Sequence, residues 1–326
     1  MVLILSESDV TELIDMSSVI SEVEAALRQY TEKRAIMPVR YQMEVPGTPG
    51  TIRVMLAALP KWKASGLKVL TGTAGKRRKE GNYFVAMLFD PDGSLTCIMS
   101  ANRLTQLRTG ATSAVATKYL ARKETRTIGL IGGGVQGLGQ IEGIYNLVKG
   151  QEWLIFDALP HNADEAARLA LEKFGLKLEI TKSADEVVAR SDILITATTS
   201  RDPVFNSDVV KRGTHINAIG SNLPSRRELD ERILNKAKVV VDSIEQSVKE
   251  SGDLVDPISR GTYSPQKIYA ELGEIIAGNK PGRENEEEVT IFKSVGLAVE
   301  DIATASLAYN LAVKKNRGTK VTLQNT

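Results

Sequence analysis

Thr127-Ile-Gly-Leu-Ile-Gly-Gly-Gly-Val-Gln-Gly137 joins a short apolar run to a glycine-spaced turn, and its reading decides the fold. Gly132, Gly134 and Gly137 fit G-x-G-x-x-G, and residues 135–148 after them read as a helix. Asp157 lies 25 residues beyond Gly132, at the end of a second apolar run, Trp153-Leu-Ile-Phe156. Strand, glycine turn, helix and acid-terminated strand are the layout of a dinucleotide-binding βαβ unit. The first glycine allows the tight turn, the second lets backbone approach the pyrophosphate, and the third allows close helix–strand packing. The helix N-terminus offers unpaired N–H groups to the phosphates. A carboxylate at residue 157 suits a ribose 2′-hydroxyl and repels a 2′-phosphate, and Ala158-Leu-Pro-His-Asn162 supplies no cation for one. NAD is therefore expected rather than NADP.

The rest of the composition narrows the class. A chain of 326 residues is long enough for two domains, each with its own core. The net charge of +2 gives no bulk field for nucleic acid or a membrane surface, so neither is expected as a partner. Cys97 is the only cysteine, which excludes an intrachain disulfide and multi-cysteine metal sites. His161 and His215 are the only histidines, so no metal site is expected. The start lacks a basic segment followed by an apolar core, and no apolar run approaches the roughly 20 residues that span a bilayer. The expected location is the cytoplasm.

Residues 7–34 have helical apolar spacing, with Ser6 and Ser17 or Ser18 as N-caps. From residue 38 to 97 the pattern changes to short extended runs. Residues 41–45 and 51–57 flank Pro46-Gly-Thr-Pro-Gly50, and 84–89 and 94–99 flank Asp90-Pro-Asp-Gly93. Residues 106–120 read as an alanine-rich helix. Beyond Arg126, apolar runs at 127–131, 153–157, 178–181, 193–197, 215–219 and 239–242 alternate with helical segments, as in a doubly wound parallel sheet. Two late helices are expected at 266–277 and 296–314, a solvated acidic loop at 283–288, and a frayed tail from 315.

Three cations stand in apolar surroundings: Arg53 in Ile52-Arg-Val-Met-Leu56, Lys68 in Gly66-Leu-Lys-Val-Leu70, and Arg108 near the start of a small-residue helix. Strand alternation can put any one of them in water. Three together, beside a dinucleotide domain, suggest a clamp for the carboxylate of a small acid, since arginine pairs with it bidentately. Neighbouring cations also lower a lysine's pKa, as proton transfer at neutral pH requires.

These residues carry a resemblance. LTQLRTGATSAVATKYL (104–120), GLKVLTG (66–72), GLIGGGVQG (129–137), RELDERIL (227–234) and IFKSVGLAVED (291–301) together resemble the ornithine cyclodeaminase/μ-crystallin family, from about residue 5 to 312. The resemblance implies an α/β protein in which a Rossmann-type doubly wound parallel sheet is joined to a second α+β domain for substrate binding and dimerisation. The expected division is 1–120, completed by a C-terminal helix at 300–326, and 121–299 for NAD. Bound NAD(P), a small amino or imino acid substrate and a homodimer are implied with it. Arg53, Lys68 and Arg108 match the family's carboxylate and catalytic lysine positions, and Arg40 falls near the same pocket. Gly132, Gly134, Val135, Gln136 and Asp157 match its cofactor positions, with Thr109, Thr198, Lys293 and Ser294 as further neighbours. Glu250 resembles a pocket acid of the μ-crystallin branch.

One segment departs from the pattern. Cyclodeaminases resemble G-[GA]-D-x-P-G-K-x-E-L here, whereas this chain reads Gly220-Ser-Asn-Leu-Pro-Ser-Arg-Arg-Glu-Leu229. Asn222 occupies the aspartate position, and an amide cannot serve as a carboxylate base. The sequence therefore points to an NAD-dependent oxidoreductase interconverting a small 2-amino acid and its imino or 2-oxo acid, of ketimine reductase or alanine dehydrogenase type. An ornithine cyclodeaminase and a non-catalytic μ-crystallin-like binder are the alternatives.

Overall fold

The computed structural model describes residues 1–44, 46–47, 50–73 and 83–323; Val45 and the turn residues Thr48 and Pro49 lie outside that set. Strand β1 (Val2–Leu5) leads into α1 (Glu7–Leu13), where the Ser6 hydroxyl accepts the Asp9 N–H and Asp9 accepts the Ser6 N–H. Helix α2 (Met16–Thr31) is capped two residues or more before the expected serines: the Asp15 carboxylate accepts the Ser18 N–H at 2.9 Å. Met16 already belongs to the buried stripe with Val19, Val23, Ala26 and Leu27, so the cap falls on Asp15. Then follow β2 (Tyr41–Glu44), β3 (Gly50–Leu59), β4 (Ala64–Thr73), β5 (Phe84–Phe89), β6 (Leu95–Ser100) and α3 (Asn102–Leu120).

The second half alternates, through β7 (Thr127–Ile131), α4 (Val135–Leu147), β8 (Glu152–Phe156), α5 (Pro160–Phe174), β9 (Leu178–Ile180), α6 (Ala184–Arg190), β10 (Ile193–Thr196) and β11 (His215–Ala218). It continues with α7 (Glu231–Lys236), β12 (Lys238–Val241), α8 (Ile244–Glu250), α9 (Gly252–Ser259), β13 (Ile268–Glu271), α10 (Leu272–Ile276), β14 (Thr290–Lys293), α11 (Ala298–Lys315) and β15 (Thr319–Val321). Two expectations give way. The segment 266–277 is a strand followed by a short helix, because Ile268 and Ala270 alternate into the core as β13 pairs with β12. The tail does not fray directly from the helix: Asn316 turns left-handed (φ 51°) and β15 pairs antiparallel with β1. The C-terminal helix thus ends at Lys315 rather than running on through the tail.

The chain divides into two compact units, Met1–Arg108 with Leu297–Thr326, and Thr109–Gly296. The division falls inside α3 rather than after Leu120. In the first unit one sheet runs β15-β1-β6-β5-β4-β3-β2, antiparallel except where β1 meets β6. Met55, Ala57, Leu59, Ala86, Leu88, Cys97 and Met99 are buried on one face, and α11 packs against β3, β4 and β5. Gly66 permits that approach, since a Cβ there would sit 2.9 Å from Ile302 of α11.

The second unit is an all-parallel sheet in the order β13-β12-β14-β11-β10-β7-β8-β9. Strands β10, β11 and β14 are buried at every position, as expected where a parallel sheet is covered on both faces. The chain moves outward from β7 to β8 and β9, then returns to β10 on the other side of β7. That reversal creates a crevice at the carboxyl ends of β7 and β10, where ligands bind in open α/β sheets.

Candidate active site

The glycine turn lies at that crevice. Gly132 has φ +106° and donates its N–H to the Phe156 carbonyl at 2.9 Å. A Cβ at Gly137 would overlap the Gly132 carbonyl, so the third glycine lets α4 close onto the turn. Gly134 caps α4, and a Cβ added there meets nothing within 4 Å. Val135 is 68% exposed, and Gln136 has a buried Oε1 with no hydrogen-bond partner among the described residues. Open backbone at a helix N-terminus and an unanswered buried amide fit the phosphates of a dinucleotide.

Asp157 follows directly on β8. Its Oδ2 accepts the Gly133 N–H at 2.8 Å, and its Oδ1 accepts the Leu159 N–H at 2.8 Å and the Asn162 side chain at 3.2 Å. Three donors leave a carboxylate with unused acceptor capacity for a ribose hydroxyl. Thr198 and half-buried Asn222 lie on the loops after β10 and β11, and Glu250 ends α8. Thr109 is buried on α3. Lys293 ends β14 and Ser294 follows it, but both side chains are held by the protein. Lys293 Nζ lies 3.1 Å from the Asp253 carboxylate and donates to the Ala218 carbonyl, while the Ser294 hydroxyl donates to Asp242 at 2.9 Å.

Two of the four cations of the first unit, Arg53 and Lys68, lie on the helix-packed face of its sheet, and the charges of Arg40 and Arg108 act on Lys68. Met55 pairs with Lys68 and Arg53 with Leu70 in the β3–β4 ladder, so Arg53 and Lys68 are diagonal neighbours on one face. Arg53 Nε donates to Gln42 at 2.7 Å across β2. Lys68 is fully buried and donates to Asp301 Oδ1 at 2.6 Å. Arg108, 7% exposed, donates to Glu300 at 2.9 Å and places its Nε 3.0 Å from the same Asp301 oxygen.

Burial pushes the Lys68 ammonium down, the Asp301 charge opposes that, and the charges of Arg108 and Arg40 add to it, leaving the pKa at about 8. Such a lysine exchanges its proton near neutral pH. The cations stand out in the sequence by their apolar neighbours, whereas Glu300 and Asp301 are not singled out there. The signal was present: two adjacent acids interrupt Gly296-Leu-Ala-Val-Glu-Asp-Ile-Ala303, and buried charge needs a partner.

Among the described residues no helix is long and apolar enough to cross a membrane. The ornithine cyclodeaminase/mu-crystallin family matches residues 2–316. The chain is 37% identical to Δ1-pyrroline-2-carboxylate reductase of Bacillus cereus, over 98% of this chain and 99% of that one. The Thermococcus litoralis Δ1-pyrroline-2-carboxylate reductase, solved in complex with NADH and L-proline, has a TM-score of 0.93 and 40% identity, covering 98% of this chain and 100% of that one. An archaeal alanine dehydrogenase dimer with bound NAD has a TM-score of 0.93 and 37% identity, covering 99% of both. Likeness that runs through both units, at this identity, settles membership: the chain belongs to the ornithine cyclodeaminase/mu-crystallin family.

Proposed function

We propose that this protein is an NAD-dependent oxidoreductase interconverting a small 2-amino acid and its imino acid, with a cyclic ketimine carboxylate as the preferred substrate class. One observation carries the reading: a fully buried lysine, poised near neutral pH, among arginines suited to a carboxylate. The reductases and the dehydrogenase named above are its relatives by sequence and fold. NADH, when bound, supplies the hydride. Arg108, aided by Arg40 and Arg53, holds the substrate carboxylate. Lys68 gives its proton to the imine nitrogen as the imine carbon is reduced, and water then reprotonates the amine. Asp301 keeps the lysine charged until that moment.

Lys68→Met should abolish imine reduction while NADH binding stays within a few-fold. The fold should survive, because Arg108 still neutralises Asp301. In the wild type, kcat/KM for imine reduction should be flat at low pH and fall as pH rises through about 8, since the protonated lysine is the reactant. Amino acid oxidation needs the neutral amine and should rise through the same range. Near-normal turnover by the variant, or a reduction rate that climbs above pH 8, would remove lysine from the chemistry.

Asp157 and the cation-free 158–162 segment favour NADH over NADPH. Steady-state rates with each cofactor at matched substrate test this. Equal or better kcat/KM with NADPH would contradict it.

Asn222 stands where cyclodeaminases carry their aspartate, so ornithine should yield neither proline nor ammonia at saturating NAD. Asn222→Asp returns an acidic group at nearly constant size, and partial activity is its expected outcome because Pro224-Ser-Arg226 is also altered. Ammonia release from ornithine by the unmutated protein would promote the cyclodeaminase reading.

The face of the first sheet turned away from α11 carries half-buried Val54, Leu56, Leu67, Val69, Val85, Met87 and Ile98. Tyr41 and Met43 extend it at the edge strand, 74% and 58% exposed. An apolar patch of that extent fits a protein interface, and a second copy of this chain is its proposed occupant, as one relative is a dimer. Met87 is central, paired with Leu67 and Ile98. Light scattering should find a dimer that Met87→Lys converts to a folded monomer; an unchanged mass would exclude this face.

A further inference from the structure

Glu228 is a fully buried carboxylate that belongs to neither the glycine turn nor the cation cluster. It follows the loop that leaves β11. Its Oε1 accepts the Thr198 N–H at 2.6 Å, and its Oε2 accepts the Gly220 N–H at 2.7 Å and the Thr196 hydroxyl at 2.9 Å. Thr198 and Gly220 open the loops after β10 and β11, so one carboxylate joins both loops at the carboxyl edge of the sheet. Gly220 lies against the Thr198 backbone so closely that a Cβ would overlap the Thr198 carbonyl. Behind Glu228, Asp253 Oδ1 accepts the Glu228 and Leu229 N–H groups at 2.6 and 2.9 Å, and Lys293 Nζ lies 3.1 Å from Asp253 Oδ2. Burial pushes the Glu228 carboxyl up, the Lys293 charge opposes this, and Asp253 adds to it.

The two halves of a doubly wound sheet receive the two halves of a dinucleotide. The glycine turn and Asp157, on β7 and β8, serve the adenosine half. The β10 and β11 loops, on the other side of the reversal, are left for the nicotinamide half. We infer that Glu228 is a positioning residue for the nicotinamide half of the cofactor, holding the Thr198 and Asn222 loops in the register that receives it. This rests on the dinucleotide reading given above. The residue acts through backbone that it anchors, without touching the ligand.

Glu228→Gln keeps the size but turns one NH2 group toward donors that need an acceptor. Calorimetric titration of the purified protein with NADH, and separately with ADP, is the test. NADH should bind about tenfold or more weakly to the variant, the loss expected for charge-assisted hydrogen bonds, while ADP stays within about twofold. Thr196→Val removes a single donor within a buried strand and should weaken NADH alone by about threefold. It carries the test if Glu228→Gln fails to fold. Unchanged NADH affinity in the folded variants, or equal losses for NADH and ADP, would overturn the assignment. Wild-type protein that binds neither ligand would instead overturn the dinucleotide reading beneath it, and this inference with it.

Discussion

The ion pair between Lys68 and Asp301 spans 233 positions of sequence with both side chains fully buried. Removing two charges from water costs several kcal/mol for each ion, and only close, hydrogen-bonded pairing offsets that cost. Strand β4 and helix α11 are therefore bound by this pairing, since the buried Lys68 charge is answered by Asp301. Because α11 sits near the end of the chain, the first unit must be assembled from both termini. The β1–β15 pairing and the close contact of Gly66 with Ile302 follow from the same closure. Arg108 shares the Asp301 oxygen, which links the start of α3 to the same charge set. The lowered pKa of the lysine is a by-product of this architecture. Burial alone would drive it far toward the neutral amine, and Asp301 holds it at about 8.

The parallel sheet was legible because its strands are short, apolar and separated by helical spacing that few other folds reproduce. The glycine turn and Asp157 were legible because their spacing has a direct geometric cause. The cations at 53, 68 and 108 stood out against apolar neighbours, and the ladder does bring Arg53 and Lys68 onto one face. Their counter-charges were not legible as such. Nothing local relates Asp301 to Lys68, and only the packing of α11 on β4 joins them. The same limit applies to β13 and β15, whose short segments become strands because a partner edge is available. The cap at Asp15 escaped for a smaller reason: several adjacent polar residues can all cap, and the buried stripe selects among them.

A pattern runs along the carboxyl edge of the second sheet. Asp157 accepts the Gly133 and Leu159 N–H groups, Glu228 those of Thr198 and Gly220, and Asp253 those of Glu228 and Leu229. Asp242 accepts the N–H groups of Ser243, Val295 and Gly296. Loops leaving the strands at this edge have backbone donors that the sheet cannot satisfy, and each buried donor needs an acceptor. Carboxylates meet several at once and bind them more strongly than neutral oxygens do. Most acids at this edge are thus architectural, and counting carboxylates here would mislead a search for a catalytic base.

That division bears on how one scaffold can host several chemistries. The loop carrying Asn222 is held by Glu228 at Gly220, by the Ser221 hydroxyl on the Arg226 carbonyl at 2.5 Å, and by the Gly252 N–H on the Leu223 carbonyl at 3.2 Å. None of these contacts uses the side chain at 222. Its backbone course is therefore set independently of whether an aspartate or an asparagine stands there. A loop held this way can exchange a charged side chain for a neutral one at position 222 without refolding, while the fold stays constant. The buried carboxylate that anchors the loop is, by the same reasoning, under a stricter constraint than the residue it presents.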